Sequence, residues 1–331
     1  MNKIKKLSAT IMTLFMVLVS CNSGGIAEDP KHVYLTSIAN LGKGFLDVFV
    51  TFGDIVTGAF GIKAETKKSD IGKYFTDIES TMTTVKKKLQ DEVAKNGNYV
   101  KVKEVVDKFV ADVLDKIAEG AKKAATGATG GDVIGNAVKN EDAVPAEVAS
   151  VNLLVEGIQT IVDVVLKDKG SADANKTTDD DKKDIGKLFS KASDNGTEAE
   201  AAKASASIGA VSGADILQAI AKSGMASAGK DIDKAKDVAE IAAAKNDSAT
   251  KETKQKDAII AAGIALRAMA KNGKFAAKNE DKAVFAVNGI ASSAVGKTLS
   301  TLIIAIRNTV DTGLKTINET LATDKQEDKS A

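Results

Sequence analysis

Ser69-Asp70-Ile71-Gly72-Lys73-Tyr74-Phe75-Thr76-Asp77-Ile78-Glu79-Ser80-Thr81-Met82-Thr83-Thr84-Val85-Lys86-Lys87-Lys88-Leu89-Gln90-Asp91-Glu92-Val93 decides the fold class. Its apolar residues Ile71, Phe75, Ile78, Met82, Val85, Leu89 and Val93 recur every three or four positions, so they line one face of a helix and leave the charged residues on the other. Ser69 and Asp70 are candidate N-caps, because a short side-chain oxygen accepts an otherwise unpaired N–H of the first turn, and Asn96-Gly97 is the expected stop. The same spacing precedes this stretch in Ile38, Leu41, Phe45, Val48, Phe52 and Ile55, where Gly42, Gly44, Gly53 and Gly58 weaken the helix and leave its stability to a partner. It follows in Val102, Val106, Phe109, Val113 and Ile117, up to Gly120.

Further along, residues 120–144 turn glycine-rich and predict a loop broken by short helical turns. Pro145 suits the first turn of a helix carrying Val148, Val151, Leu154, Ile158, Ile161 and Val165 on one face. Residues 167–184, with Asp179-Asp180-Asp181, read as a solvated loop. Residues 190–257 hold few large side chains, mark only weak helices and are expected to bury little and be the least stable part. The apolar pattern returns from Ile259 to Phe275. It returns again in a long last helix through Val287, Ile290, Ala294, Leu299, Ile303, Ile306, Val310, Leu314, Ile317 and Leu321. Residues 324–331 are expected to form a disordered tail. The expected fold is all-α: an elongated helical bundle whose body, 31–323, combines a base (31–119 and 258–323) with a loop-rich middle (120–257). One echo stands out, since Asp70-Ile71-Gly72-Lys73-Tyr74-Phe75 resembles Asp184-Ile185-Gly186-Lys187-Leu188-Phe189, although six residues do not establish a repeat.

The amino terminus carries a different message. Lys3, Lys5 and Lys6 precede the apolar run Leu7 to Val19, which is too short to cross a bilayer and reads as an export signal over residues 1–20. Leu18-Val19-Ser20-Cys21 looks like the lipobox of bacterial lipoproteins, in which cleavage exposes the cysteine and its sulfur receives a diacylglycerol. Two or three acyl chains on Cys21 would anchor the chain firmly where one would hold it only marginally, and residues 21–30 then serve as a tether. Cys21 is the one cysteine of the 331 residues, so an acylated chain forms no disulfide. The 46 basic and 45 acidic side chains balance; loss of three signal lysines leaves 43 against 45. No global field recommends nucleic acid as a partner. Alanine and lysine dominate, aromatics are 4% and tryptophan is absent, a composition that favours helices with small-residue contacts over a β-sandwich.

Chemistry is harder to find. Ala291-Ser292-Ser293-Ala294-Val295-Gly296-Lys297-Thr298 fits a relaxed phosphate-loop pattern, yet the helical spacing of Val287, Ile290 and Ala294 runs through it, where a true phosphate loop follows a buried strand. His32 is the single histidine and stands beside the tether, so no histidine or cysteine cluster for a transition metal can form. The acidic run 179–181 lacks the alternating ligands of a calcium loop. Lysine clusters Lys86-Lys87-Lys88 and Lys122-Lys123 read as solvated faces beside Asp91, Glu92 and Glu119. No cofactor is implied and no catalytic residue is named.

The chain resembles the variable large proteins of relapsing-fever Borrelia and, more distantly, the variable surface lipoprotein of Lyme-disease spirochaetes. Three segments carry the resemblance: Cys21-Asn22-Ser23-Gly24-Gly25, residues 67–75, and Ala261-Ala262-Gly263-Ile264-Ala265-Leu266-Arg267-Ala268-Met269-Ala270-Lys271-Asn272-Gly273-Lys274-Phe275-Ala276-Ala277. The resemblance implies a non-enzymatic antigen of the cell outer membrane, surface-exposed and anchored through Cys21. It further implies expression of one variant at a time, escape from host antibody, and long first and last helices paired near the membrane. In the shared segment Ile264, Leu266, Met269 and Phe275 are expected to face the core, with Asn272-Gly273 making the turn. A rival reading is an adhesin of the same architecture using lysine faces to hold host glycosaminoglycan, and the remotest is a nucleotide-binding protein built on Gly296-Lys297-Thr298. Apolar stripes at the chain ends also leave room for a homodimer.

Overall fold

The computed structural model describes residues 61–95, 99–193, 195–245 and 252–323. The ladder at 38–55, Cys21, His32, the Asn96-Gly97 stop and the tail 324–331 lie outside them. The described chain is all-α, with nine helices and only isolated bridges between extended segments. Helix α1 is Lys68–Lys95. Val100–Phe109, a π-helical turn Val110–Leu114 and Asp115–Gly127 run on as one helix, α2. Then follow α3 (Val148–Val165), α4 (Asp179–Lys183), α5 (Glu198–Ala210) and α6 (Gly213–Ala221). The last three are α7 (Val238–Ala242), α8 (Asp257–Met269) and α9 (Asp281–Thr323).

In α1 the seven ladder residues are all buried. The helix opens at Lys68, earlier than the Ser69-Asp70 caps expected, because the Asp70 carboxylate reaches back to accept the N–H of Lys67. In α2 the π turn inserts one extra residue. The expected stripe 102, 106, 109, 113 therefore slips: Val110 and Leu114 are buried and Val113 only half-buried, after which Ile117 restores the stripe. α2 also continues to Gly127, past the loop boundary expected at 120. α3 crosses it where two glycines face each other: a Cβ on Gly157 would stand 2.5 Å from the Gly120 carbonyl oxygen. Pro145 precedes α3 instead of opening it, because its neighbours are still extended: Val144 exchanges backbone hydrogen bonds with Lys274, and the Ala146 N–H donates to Ala242.

Two further expectations are overturned. The acidic run 179–181 is not a loop but the first turn of α4, capped by Thr178, with the three carboxylates at the positive end of the helix dipole. Residues 190–245 do not bury little: Ile208, Val211, Ile216, Leu217, Ile220, Ile232, Val238 and Ile241 are at most 2% exposed and join one continuous core from Ile71 to Leu321. Alanines such as Ala201, Ala204, Ala239 and Ala242 supply the contacts that larger side chains would otherwise make. Both α3 and the stretch Asp281–Leu321 of α9 are long and apolar enough to cross a membrane, but their apolar faces are spent on this core. α9, 43 residues and so roughly 65 Å long, passes beside α2, α5, α6 and α8.

Candidate functional site

The helix of the shared segment, α8, packs against α5, α6, α7 and α9. Nearly every residue of α8 is buried, Ile264, Leu266 and Met269 are fully so, and Phe275 follows at 1%. Asn272 takes a left-handed conformation (φ 66°), and a side chain on Gly273 would collide with the Arg267 carbonyl oxygen, so the turn after α8 needs these two residues. A helix buried along its length must have its end groups paired by protein.

At the amino-terminal pole the Asp257 carboxylate accepts the N–H groups of Lys176 (2.6 Å) and Thr177 (2.8 Å) and the hydroxyls of Thr177 (2.6 Å) and Ser207 (2.7 Å). Burial pushes its pKa up, but these hydrogen bonds outweigh that and hold it below the ordinary aspartate value. At the other pole Lys68, fully buried, donates to the carbonyls of Ala270 (2.6 Å), Gly273 (2.7 Å) and Arg267 (3.4 Å). The Arg267 side chain, also fully buried, donates to the carbonyls of Ala242, Ala244 and Lys274, and its guanidinium lies over Phe189, 5.0 Å from the ring centre. Burial lowers Arg267 to about 9 and Lys68 to about 7, Asp132 opposing the shift at Lys68. Acid in the first turn, Arg267 in the last and the Lys68 ammonium beyond it complement the helix dipole. This constellation is a structural lock: the donors of Lys68 and Arg267 are engaged with backbone carbonyls except Nη2 of Arg267, the Asp257 carboxylate is taken up by four donors, and nothing in it is set up to attack a substrate. Nothing in the sequence pattern singled out the burial of Lys68 and Arg267; the clue lay only in Arg267 being one of two arginines.

Residues 291–298 lie inside α9, with Thr298 donating to the Ala294 carbonyl and Lys297 Nζ to the Ile208 carbonyl. Their backbone N–H groups are committed to the helix, as the spacing of Val287, Ile290 and Ala294 predicts, and form no phosphate cradle. Lys86 pairs with Asp115 at 2.7 Å, and Lys123 lies near Glu119 and Glu156, so these clusters sit beside acids. Among the described residues no group of three or more His, Cys, Asp or Glu side chains could hold a metal.

Residues 45–321 match a family model described as Borrelia lipoprotein. Variable large protein 4 of Borrelia hermsii is 72% identical over 336 residues, covering 99% of this chain and 96% of that protein. Variable large protein 17 of the same organism is 70% identical, covering 98% and 94%. The crystal structure of the Lyme disease variable surface antigen VlsE of Borrelia burgdorferi superposes with a TM-score of 0.73 at 35% identity, over 86% of this chain and 97% of that one.

Proposed function

The chain belongs to the variable large protein family of Borrelia lipoproteins, and on that premise we propose that it is an antigen of the outer surface, one of a switchable set whose exchange lets the cell escape host antibody. It is not an enzyme. The observation that carries the reading is the 72% identity to Variable large protein 4, which runs over almost the whole of both chains. In this reading residues 1–20 are removed, Cys21 takes the acyl chains and residues 21–30 hold the helical body off the bilayer. The first and last helices pair near the membrane. Among the described residues α9 reaches α2, where Gly313 meets the Phe109 ring; the ladder 38–55, the first expected helix, lies outside them.

The mechanism is steric. A core that spans the described chain can carry a changing exterior, since substitutions at exposed positions usually alter stability by no more than about 0.5 kcal/mol. Mass spectrometry of the amino-terminal peptide from native cells tests the anchor: a thioether-linked diacylglycerol on Cys21 is expected, and an unmodified Cys21 or a retained signal would defeat it. Protease added to intact cells tests the display, with loss of the body expected and its survival pointing to an inward-facing protein.

A further inference from the structure

Two lysines are buried among the described residues, Lys68 and Lys182, and they occupy the same place in the two echoing segments. Setting Asp70–Phe75 against Asp184–Phe189 brings Lys68 opposite Lys182, so the common pattern lengthens to Lys-x-Asp-Ile-Gly-Lys-x-Phe over 68–75 and 182–189. Exposure follows the pattern. Ile71 and Ile185, Gly72 and Gly186, and Phe75 and Phe189 are all buried, whereas Lys73 and Lys187 are not. Local structure differs, since the first copy opens the long helix α1 and the second runs from α4 into a 3-10 turn. Helix geometry therefore does not explain why the lysine is buried twice.

Both lysines serve one helix. Lys68 saturates the carbonyls just beyond the carboxyl-terminal pole of α8. Lys182 Nζ donates to Asn175 Oδ1 at 2.5 Å, and that same oxygen accepts the N–H of Asp257, the first residue of α8, at 3.3 Å. The phenyl ring that ends the second copy, Phe189, lies beneath Arg267 in the last turn of α8, so it is the lysine end of that copy alone that holds the amino-terminal pole. We propose that Lys68 and Lys182, at the same place in 68–75 and 182–189, are two latches, each holding one pole of α8, so that α8 and its turn leave the core only when both have opened. At the carboxyl-terminal pole the ammonium's donors on their long apolar stem pair carbonyls directly, whereas at the amino-terminal pole, whose end groups are N–H donors, Lys182 pairs with Asp179 at 3.1 Å and holds the Asn175 oxygen that accepts the Asp257 N–H.

Hydrogen exchange read by mass spectrometry on the full mature chain tests this. Lys68→Met is expected to speed exchange in 266–277 roughly tenfold or more while leaving 173–182 unchanged, and Lys182→Met to do the reverse. The double variant is expected to open all of 257–277 by more than the product of the two single effects. Lys73→Met and Lys187→Met, at the exposed and the half-buried lysine of the same pattern, are expected to change neither region. Uniform acceleration across the chain from either buried-site variant, or an equal effect from the Lys73 and Lys187 variants, overturns the proposal. Should a buried-site variant fail to fold, exchange of the unaltered chain in low denaturant decides. Two separately opening groups with the centre of α8 slower than both support the latches, and one common group refutes them.

Discussion

At the residue scale, the energetics turn on cations buried without carboxylates. Arg267 spends three N–H groups on the carbonyls of Ala242, Ala244 and Lys274, so Arg267→Met keeps much of the bulk but strands those acceptors. The expected cost is about 2–5 kcal/mol, read as a lowered urea midpoint, and an unchanged midpoint would show that the carbonyls find other donors. Lys68 makes stability depend on pH. Unfolded, it holds its proton to its ordinary value of 10.5; folded, burial releases the proton at about 7. Between those values the unfolded chain binds more protons, so this residue makes stability rise as pH climbs from 7 towards 10.5 and contributes least below 7. The slope has a ceiling of about 1.4 kcal/mol per pH unit. Denaturant titrations at pH 7 and pH 9 check this, the rise being expected in the native sequence and absent in Lys68→Met.

Among elements, glycine has opposite meanings at different positions. Gly157 lets α3 lie on α2, and a methyl there would meet the Gly120 carbonyl and the Ala124 backbone. Gly157→Ala is expected to destabilise by about 1–3 kcal/mol through overpacking, despite the roughly 1 kcal/mol that alanine gains in a helix. Gly289 on the exposed face of α9 has open space around it, so Gly289→Ala should stabilise by about 0.5–1 kcal/mol. Thermal melts of the pair, shifting in opposite directions, check the contrast, and matching shifts would refute it. The same distinction explains what could be read before the structure. The ladders of α1, α3 and α9 were legible because their large side chains repeat at the helical period, and those positions are buried or nearly so. The π turn of α2 was not, since an inserted residue leaves the spacing of Phe109, Val113 and Ile117 intact on paper while Leu114 turns inward. Nor could periodicity reveal Lys68 or Arg267 inside the core, because their burial depends on carbonyls supplied by residues up to about 200 positions away.

For the whole molecule, the question is whether the alanine-rich stretch from 190 to 245 is an appendage or part of one cooperative body. Composition argues for the former, since few large side chains should mean little burial. Packing argues for the latter. Leu217 in α6 and Leu114 in α2 are both fully buried members of the same continuous core, and α9 and α8 both pass beside α6. A body of this kind melts as a unit when each part shares its apolar neighbours with the others. Leu217→Ala and Leu114→Ala are accordingly each expected to cost about 2–5 kcal/mol. Both should move a single transition to lower temperature, seen alike by far-ultraviolet dichroism and by the environment of Tyr74, whose hydroxyl donates to the Leu299 carbonyl. An early partial transition in the Leu217→Ala chain that leaves the Tyr74 signal in place would instead make 190–245 a separately melting layer. Coincident transitions would mean that the part of the chain poorest in large side chains is held by the same core as the rest, so that changes to the outer surface need not loosen it.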